Sequence, residues 1–249
     1  MITAGVGRTG ARWGGVALAL LAIAACDGGP ATPPKDKQPE LHFPAADRPV
    51  AHIVSSGWSN EAARDKLNEF GTVMDRAGIQ PGMTVADIGA GEGYYTVRLG
   101  ARVGKHGRVL AEDIVPEVRD ALAERVARER LDNVSVRLGQ PADPRLPEHS
   151  FDRVFMVHMY HEIESPYEFL WRMRPSLKPD GTVVVVDADR TTQDHGTPPA
   201  LLTCEFNAVG YKLVSLQDTP AAGGYLAIFR AQGVRPDPAA IKPCPNLPA

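Results

Sequence analysis

Residues 85–100 read VADIGAGEGYYTVRLG. A short apolar run carries an acid, Asp87, and opens into a loop with glycine at 89, 91 and 93, after which aromatic and aliphatic residues resume. A glycine-rich turn between a strand and a helix lets backbone approach a ligand closely, and the helix N-terminus favours an anionic group. A dinucleotide fold wants G-x-G-x-x-G at this turn. Here the spacing is G-x-G-x-G, with Tyr94 after the third glycine, and Asp87 suits a cationic amino group better than a pyrophosphate. Asp113 follows at about the interval that lets an acid on a second strand reach a ribose hydroxyl pair.

Outward from that loop, strand and helix patterns alternate. Leu67, Phe70, Met74 and Ala77 recur at helical spacing behind a capping pair at Ser59 and Asn60, and Gln80 to Gly82 breaks the chain. Thr84 to Ile88 reads as a buried strand, followed by a helix from about Tyr94 and a strand at Arg108 to Glu112. Val118, Leu122 and Val126 mark one face of the next helix. Further strands are predicted at Val134 to Leu138, Asp152 to Val157 and Thr182 to Asp187. In the helix between the last two, Pro166 suits the first turn and Pro175 the end. Near-continuous apolar strands alternating with helices imply an α/β fold with a parallel sheet covered on both faces. YKLVSLQ and YLAIFRA are separated by too few residues for a parallel crossover, so the last two strands are expected to be antiparallel.

With these motifs in order, the sequence resembles the class I S-adenosylmethionine-dependent methyltransferases. VADIGAGEG matches the first motif, VLAEDI the ribose acid, LPEHSFDRVFMVHMYHEI the fourth strand and its exit, and LKPDGTVVVVD the fifth. The resemblance implies a Rossmann-like sheet with an antiparallel C-terminal pair. It also implies that Gly89, Ala90, Gly91 and Gly93 cradle the methionine part of S-adenosylmethionine with Asp87 nearby. Asp113 would bind the ribose, with Glu112 able to take that role if the strand ends earlier. Gln140 stands where many members carry an acid, so the adenine contact would come from Gln140 or from backbone near Pro141.

Candidates for acceptor chemistry cluster after the fourth strand, at the usual ligand-facing edge of such sheets: His158, Tyr160, His161 and Glu162. Each has a structural reading as well, as a hydrogen-bonded group fixing the strand exit. HMYHE has no metal-ligand spacing on a defined helix, so no metal is expected. His195 either closes over the site or sits in a turn. The signatures of base-amino, cytosine and isoaspartyl methyltransferases are missing from the corresponding places, so a small organic molecule is the expected acceptor. A protein carboxyl (isoaspartyl-type) methyltransferase and an exported, non-catalytic ligand-binding domain stand as alternatives.

The ends of the 249-residue chain do not look globular. Residues 1–25 carry Arg8, Arg12, no acid and the apolar run VALALLAIAA, the order of a secretory signal and far short of the roughly 20 residues of a membrane span. IAAC, ending at Cys26, resembles the lipobox of bacterial lipoproteins. The expected location is therefore the cell envelope, lipid-anchored on the periplasmic side and, from Asp27, at the inner membrane, with a cytoplasmic enzyme as the alternative. Residues 26–50 and 232–249 are proline-rich and read as a tether and a tail, leaving 51–231 as the domain. The formal charge of −3 becomes −5 once Arg8 and Arg12 leave with the signal, which gives no electrostatic reason to expect nucleic acid. Oligomeric state is not indicated. Cys204 and Cys244 would be the remaining thiols, open either to a disulfide in an oxidising compartment or to a buried free thiol at Cys204.

Overall fold

The computed structural model describes residues 41–54 and 60–246. The signal segment, Cys26, most of the 26–50 tether and Ser59 lie outside them. Seven strands, β1 (Thr84–Ile88), β2 (Arg108–Asp113), β3 (Val134–Leu138), β4 (Phe151–Val157), β5 (Leu177–Asp187), β6 (Tyr211–Thr219) and β7 (Gly224–Ala231), form one sheet in the order β3-β2-β1-β4-β5-β7-β6. The first five are parallel, while β7 runs antiparallel to both β5 and β6. The connection, residues 220–223, is too short for a parallel crossover and forces that hairpin, as predicted. This is the Rossmann-like sheet with an antiparallel terminal pair.

Side chains alternate between the two faces of the central strands. Ala86, Ile88, Val183 and Val185 join one core with Leu170 of α5 (Pro166–Met173) and with Leu202 and Phe206 of α6 (Pro199–Ala208). Val85, Val184 and Val186 join the other, with Met74 of the second helix and Leu99 of the helix that follows β1. Two buried faces explain why these strands read as unbroken apolar runs. Chain order reverses at β1, which has β2 on one side and β4 on the other. The loops leaving β1 and β4 therefore rise side by side at the carboxyl edge, where open α/β sheets bind ligands.

Several expectations need correction. The helix predicted through Leu67 is two helices, α1 (Glu61–Lys66) and α2 (Glu69–Arg76), broken at Asn68, whose φ is +50°. Leu67, expected on the buried face, is 61% exposed. The remaining helices are α3 (Tyr94–Val103) and α4 (Pro116–Arg128). Strand β5 begins earlier than predicted, at Leu177, with a register shift against β4 between Phe151 and Arg153.

The domain boundaries also move. Arg48, assigned to the tether, is buried: its Nε donates to Glu205 at 2.9 Å and its Nη2 to the carbonyl of Ile163 at 3.3 Å. Residues of the proline-rich tail are packed as well. Arg235 lies 3.3 Å over the Trp171 ring, the Trp171 indole donates to the carbonyl of Pro236, and the Cys244 amide donates to the Tyr167 hydroxyl. Proline fixes this tail in one extended path without asking its backbone for sheet hydrogen bonds, so composition alone did not distinguish a packed strap from a tether.

The strap is covalently closed, since Cys204 in α6 and Cys244, 40 positions apart in sequence, form a disulfide with Cα atoms 6.1 Å apart. Closing a loop of that length restricts the unfolded chain by about 3 to 4 kcal/mol on the chain-entropy account. Cys204→Ser is expected to lower the thermal midpoint by roughly 6 to 16 °C while leaving the fold intact. Differential scanning calorimetry of the oxidised protein against the variant checks this, and an unchanged midpoint would show that the bridge adds nothing.

Candidate active site

The glycine loop is built for close approach. Gly89 has φ of +66°, and a Cβ there would meet the Met159 side chain at 2.9 Å, so only glycine lets the exits of β1 and β4 touch. The Gly91 amide donates to Asp113 Oδ2 at 3.0 Å, and Asp113 Oδ1 accepts from the Val115 amide at 3.0 Å. An ionised carboxylate has about four acceptor positions, so Asp113 keeps capacity for a ligand hydroxyl. Gly93 does a different job from the one expected. It caps α3 with φ of +88°, and Leu122 of α4 stands 2.4 Å from where its Cβ would be, so it serves helix packing and does not line the cavity.

The loop opens on a cavity of about 740 Å³, within the usual range for small-molecule sites. Asp87, Gly89, Ala90, Gly91, Asp113, Gln140 and Pro141 all line it, as the sequence suggested. Asp87 is buried and accepts from the Thr96 hydroxyl at 2.6 Å. Burial raises its carboxyl to about 6 despite that bond. Glu112 also lines the cavity and pairs with Arg137 at 3.0 Å. Burial pushes Glu112 to about 7, opposed by Arg137. Neighbouring residues on a strand point to opposite faces: the Asp113 carboxylate bonds to the glycine loop, whereas Glu112 meets it through its carbonyl, which accepts from the Ala90 amide at 2.9 Å.

At the other end of the cavity stand His158, His161 and Glu162. His161 is 2% exposed, and its Nδ1 lies 3.1 and 3.2 Å from the two oxygens of Asp187 at the end of β5. Burial alone would raise Asp187, but the adjacent His158 and His161 rings hold it at about 2. It is therefore ionised and can only accept. That makes His161 Nδ1 the donor, so that in the neutral ring the lone pair sits on Nε2. His158 Nε2 lies 2.9 Å from the carbonyl of Ala222, and its Nδ1 is 3.8 Å from Asp187. Glu162 Oε1 accepts from the Val54 amide at 3.0 Å, and burial raises its carboxyl.

Tyr160 departs from expectation. It is fully buried on the far side of the strand exit, where its hydroxyl donates to Glu205 at 2.7 Å beside Arg48, and it does not line the cavity. The 3₁₀ turn at Tyr160–Glu162 points successive side chains in different directions, which separates Tyr160 from His161. His195, weighed as a residue that closes over the site, does line the cavity and meets the His161 ring edge-on at 5.4 Å. Burial, then His161 and His52, hold its imidazole below the usual histidine value. His161, Glu162 and His195 each offer a ligand atom within 4.8 Å of the others. Sequence spacing did not reveal this group, because His195 arrives from the loop after β5. Two further wall residues were missed: His52, whose ring is 5.8 Å from that of His195, and Arg64 of α1, stacked 3.6 Å over Tyr94. An acid ending the VVVVD run was the available signal for Asp187.

Residues 86–185 match the family model described as a methyltransferase domain. A nocamycin O-methyltransferase from Saccharothrix syringae is 39% identical over 82 residues, which are 33% of this chain and 29% of the relative. An arsenite methyltransferase from Halobacterium salinarum is 30% identical over 118 residues, 46% of this chain and 29% of the relative. The chain thus spans less than a third of the length of either curated relative. Among solved structures, a SAM-dependent methyltransferase from Aquifex aeolicus superposes with a TM-score of 0.57 at 24% identity, over 69% of this chain and 97% of that one. Asp113 held against the Gly91 amide, a glycine at 89 with no room for a side chain and a buried acid at Asp87 fit a ribose, a close-lying amino-acid moiety and its ammonium. The fold is that of the class I methyltransferases, residues 86–185 match the methyltransferase-domain model, and the donor set of the cavity suits S-adenosylmethionine.

Proposed function

We propose that the domain is an S-adenosylmethionine-dependent methyltransferase acting on a small organic acceptor. One observation carries the reading: Asp113 anchored to the glycine loop and His161 anchored to Asp187 face the same cavity. When bound, the cofactor supplies a methyl group on a sulfonium, already a good leaving group. Asp113, Asp87 and the loop backbone would hold it by ribose, ammonium and methionine main chain. The chain's remaining task is alignment of the acceptor and removal of its proton where it has one. Asp187 fixes the His161 ring so that the Nε2 lone pair is available for that proton. The two curated relatives differ in acceptor, so the acceptor is open within the class of small molecules.

S-adenosylhomocysteine is expected to raise the thermal midpoint of the protein through linkage. Asp113→Ala should weaken that binding by about 1.5 to 3 kcal/mol, roughly 10 to 150-fold in Kd. Absence of any shift in folded wild-type protein would sink the methyltransferase reading, and a shift with NAD in its place would favour a dinucleotide site.

Asp87 gives a pH signature with two opposite signs. Its folded-state value, about 6, lies above the ordinary aspartate value, so the free protein binds an extra proton in that window and loses stability as pH rises from about 4 to 6. A cationic ligand prefers the ionised carboxylate, so cofactor affinity should rise with pH, by up to about tenfold per unit below about 6. Isothermal titration between pH 5 and 8 tests this. Asp87→Asn should flatten the profile, and an unchanged slope in that variant would assign the dependence elsewhere.

We further propose that the domain is exported and anchored through lipid at Cys26. The signal-like order of residues 1–25 and the lipobox-like IAAC support this, and so does the Cys204–Cys244 disulfide, a bond characteristic of oxidising compartments. Cys26→Ser should move the protein from the membrane to the soluble fraction without unfolding it. Mass spectrometry that finds Met1 intact on membrane-free native protein would reverse the localisation.

A further inference from the structure

We infer that His161, Glu162 and His195 form a binding site for one divalent transition-metal ion, of which zinc is the best match, at the acceptor end of the cavity. Three features of the cluster support it. Its donors are two imidazoles and a carboxylate, from two separate loops, with ligand atoms within 4.8 Å of one another. That set is one that zinc adopts in catalytic sites, leaving further positions open, whereas calcium and magnesium favour all-oxygen ligands.

The second feature is the support behind His161 and Glu162. His161 gives its Nδ1–H to Asp187, and Asp187 is itself fixed by the Thr197 hydroxyl at 2.7 Å and by the Ala188 amide at 2.9 Å. Glu162 Oε1 accepts from the Val54 amide, which leaves Oε2 for the ion. A carboxylate behind a ligating histidine is the arrangement that fixes the tautomer and strengthens the nitrogen as a donor. The third feature is adjustability. Ligand atoms at about 2.0 to 2.2 Å from a zinc ion lie closer together than 4.8 Å, so a pair near that limit must close by roughly an ångström. His195 is half-buried on the loop between β5 and α6, the one ligand not set at the tight exit of β4.

Zinc there would occupy the His161 lone pair, so the imidazole would no longer take the acceptor's proton; the ion would instead lower the pKa of a coordinated acceptor, whose proton would leave to water. An acceptor with oxygen or sulfur donors, such as a hydroxyl next to a carbonyl or a thiol, would complete the coordination. Only this last step rests on the methyltransferase reading; the metal site itself does not.

The full chain, stripped with chelator and with its disulfide intact, is titrated with zinc by isothermal calorimetry and with cobalt(II) by absorption spectroscopy. The expected result is one ion per chain and a cobalt spectrum without thiolate charge-transfer bands. His195→Ala and Glu162→Gln should each weaken zinc by more than about 100-fold, beyond the usual loss for a supporting residue. His106→Ala, an exposed histidine outside the cavity, should change nothing. Because His161→Ala removes a buried ring and risks unfolding, the half-buried His195 carries the test. Saturable binding that is absent in wild type, unchanged in both variants, or marked by a thiolate band would overturn the site. An S-adenosylhomocysteine thermal shift is read on the same samples. A shift without zinc binding refutes the metal site and keeps the methyltransferase, while zinc binding without a shift keeps the site and refutes the enzyme reading.

Discussion

The ionised carboxylate of Asp187 is the group around which the acceptor end is arranged. A buried charge is costly unless its acceptor positions are filled, and here the His161 ring, the Thr197 hydroxyl and the Ala188 amide fill them. Those donors come from the exit of β4 and from both ends of the loop that follows β5. Satisfying one charge therefore fixes the direction of two loops at once. The His161 ring cannot rotate without leaving a buried carboxylate short of a donor, so its orientation toward the cavity is set by solvation energy and not by packing alone.

The opposite end of the cavity rests on backbone. Asp113 is held by the Gly91 and Val115 amides, and Gly89 lets the exits of β1 and β4 come within contact. Chain reversal at β1 places those two ends against each other. Two halves with different physics, a charged side-chain cluster and an amide cradle, thus meet across one space.

Much of this was legible in the sequence, because local rules govern it. The glycine spacing, the acid at 113 and the apolar strands follow short-range backbone and burial constraints, and the hairpin of β6 and β7 follows from the length of one loop. What stayed hidden depends on long-range meetings. Arg48 and Glu205 are 157 residues apart, and the fact that they pair turns an apparent tether into part of the body. Asp187 behind His161 and His195 beside Glu162 are likewise products of the fold, and no spacing rule announces them. Tyr160 and Gly93 were assigned to the site because they lie in its motifs, yet a 3₁₀ turn sends one into the core and Leu122 claims the space beside the other. Proline-rich composition misled at the tail, where the chain is extended but packed.

Strand β7 lies between β5 and β6 although it is the last of the three to leave the ribosome. When β6 has been made, its neighbour in the sheet does not yet exist, and β5 has an open edge. Neither β5 nor β6 can gain its partner until β7 is made, and the hairpin tip, residues 220–223, is part of the cavity wall. The ligand site is therefore complete only once β7 has been made. A chain stopped after β6 would already carry the glycine loop, Asp113 and His161, and would still present an unpaired edge and an unfinished cavity, so quality control by proteolysis has a physical handle on incomplete copies.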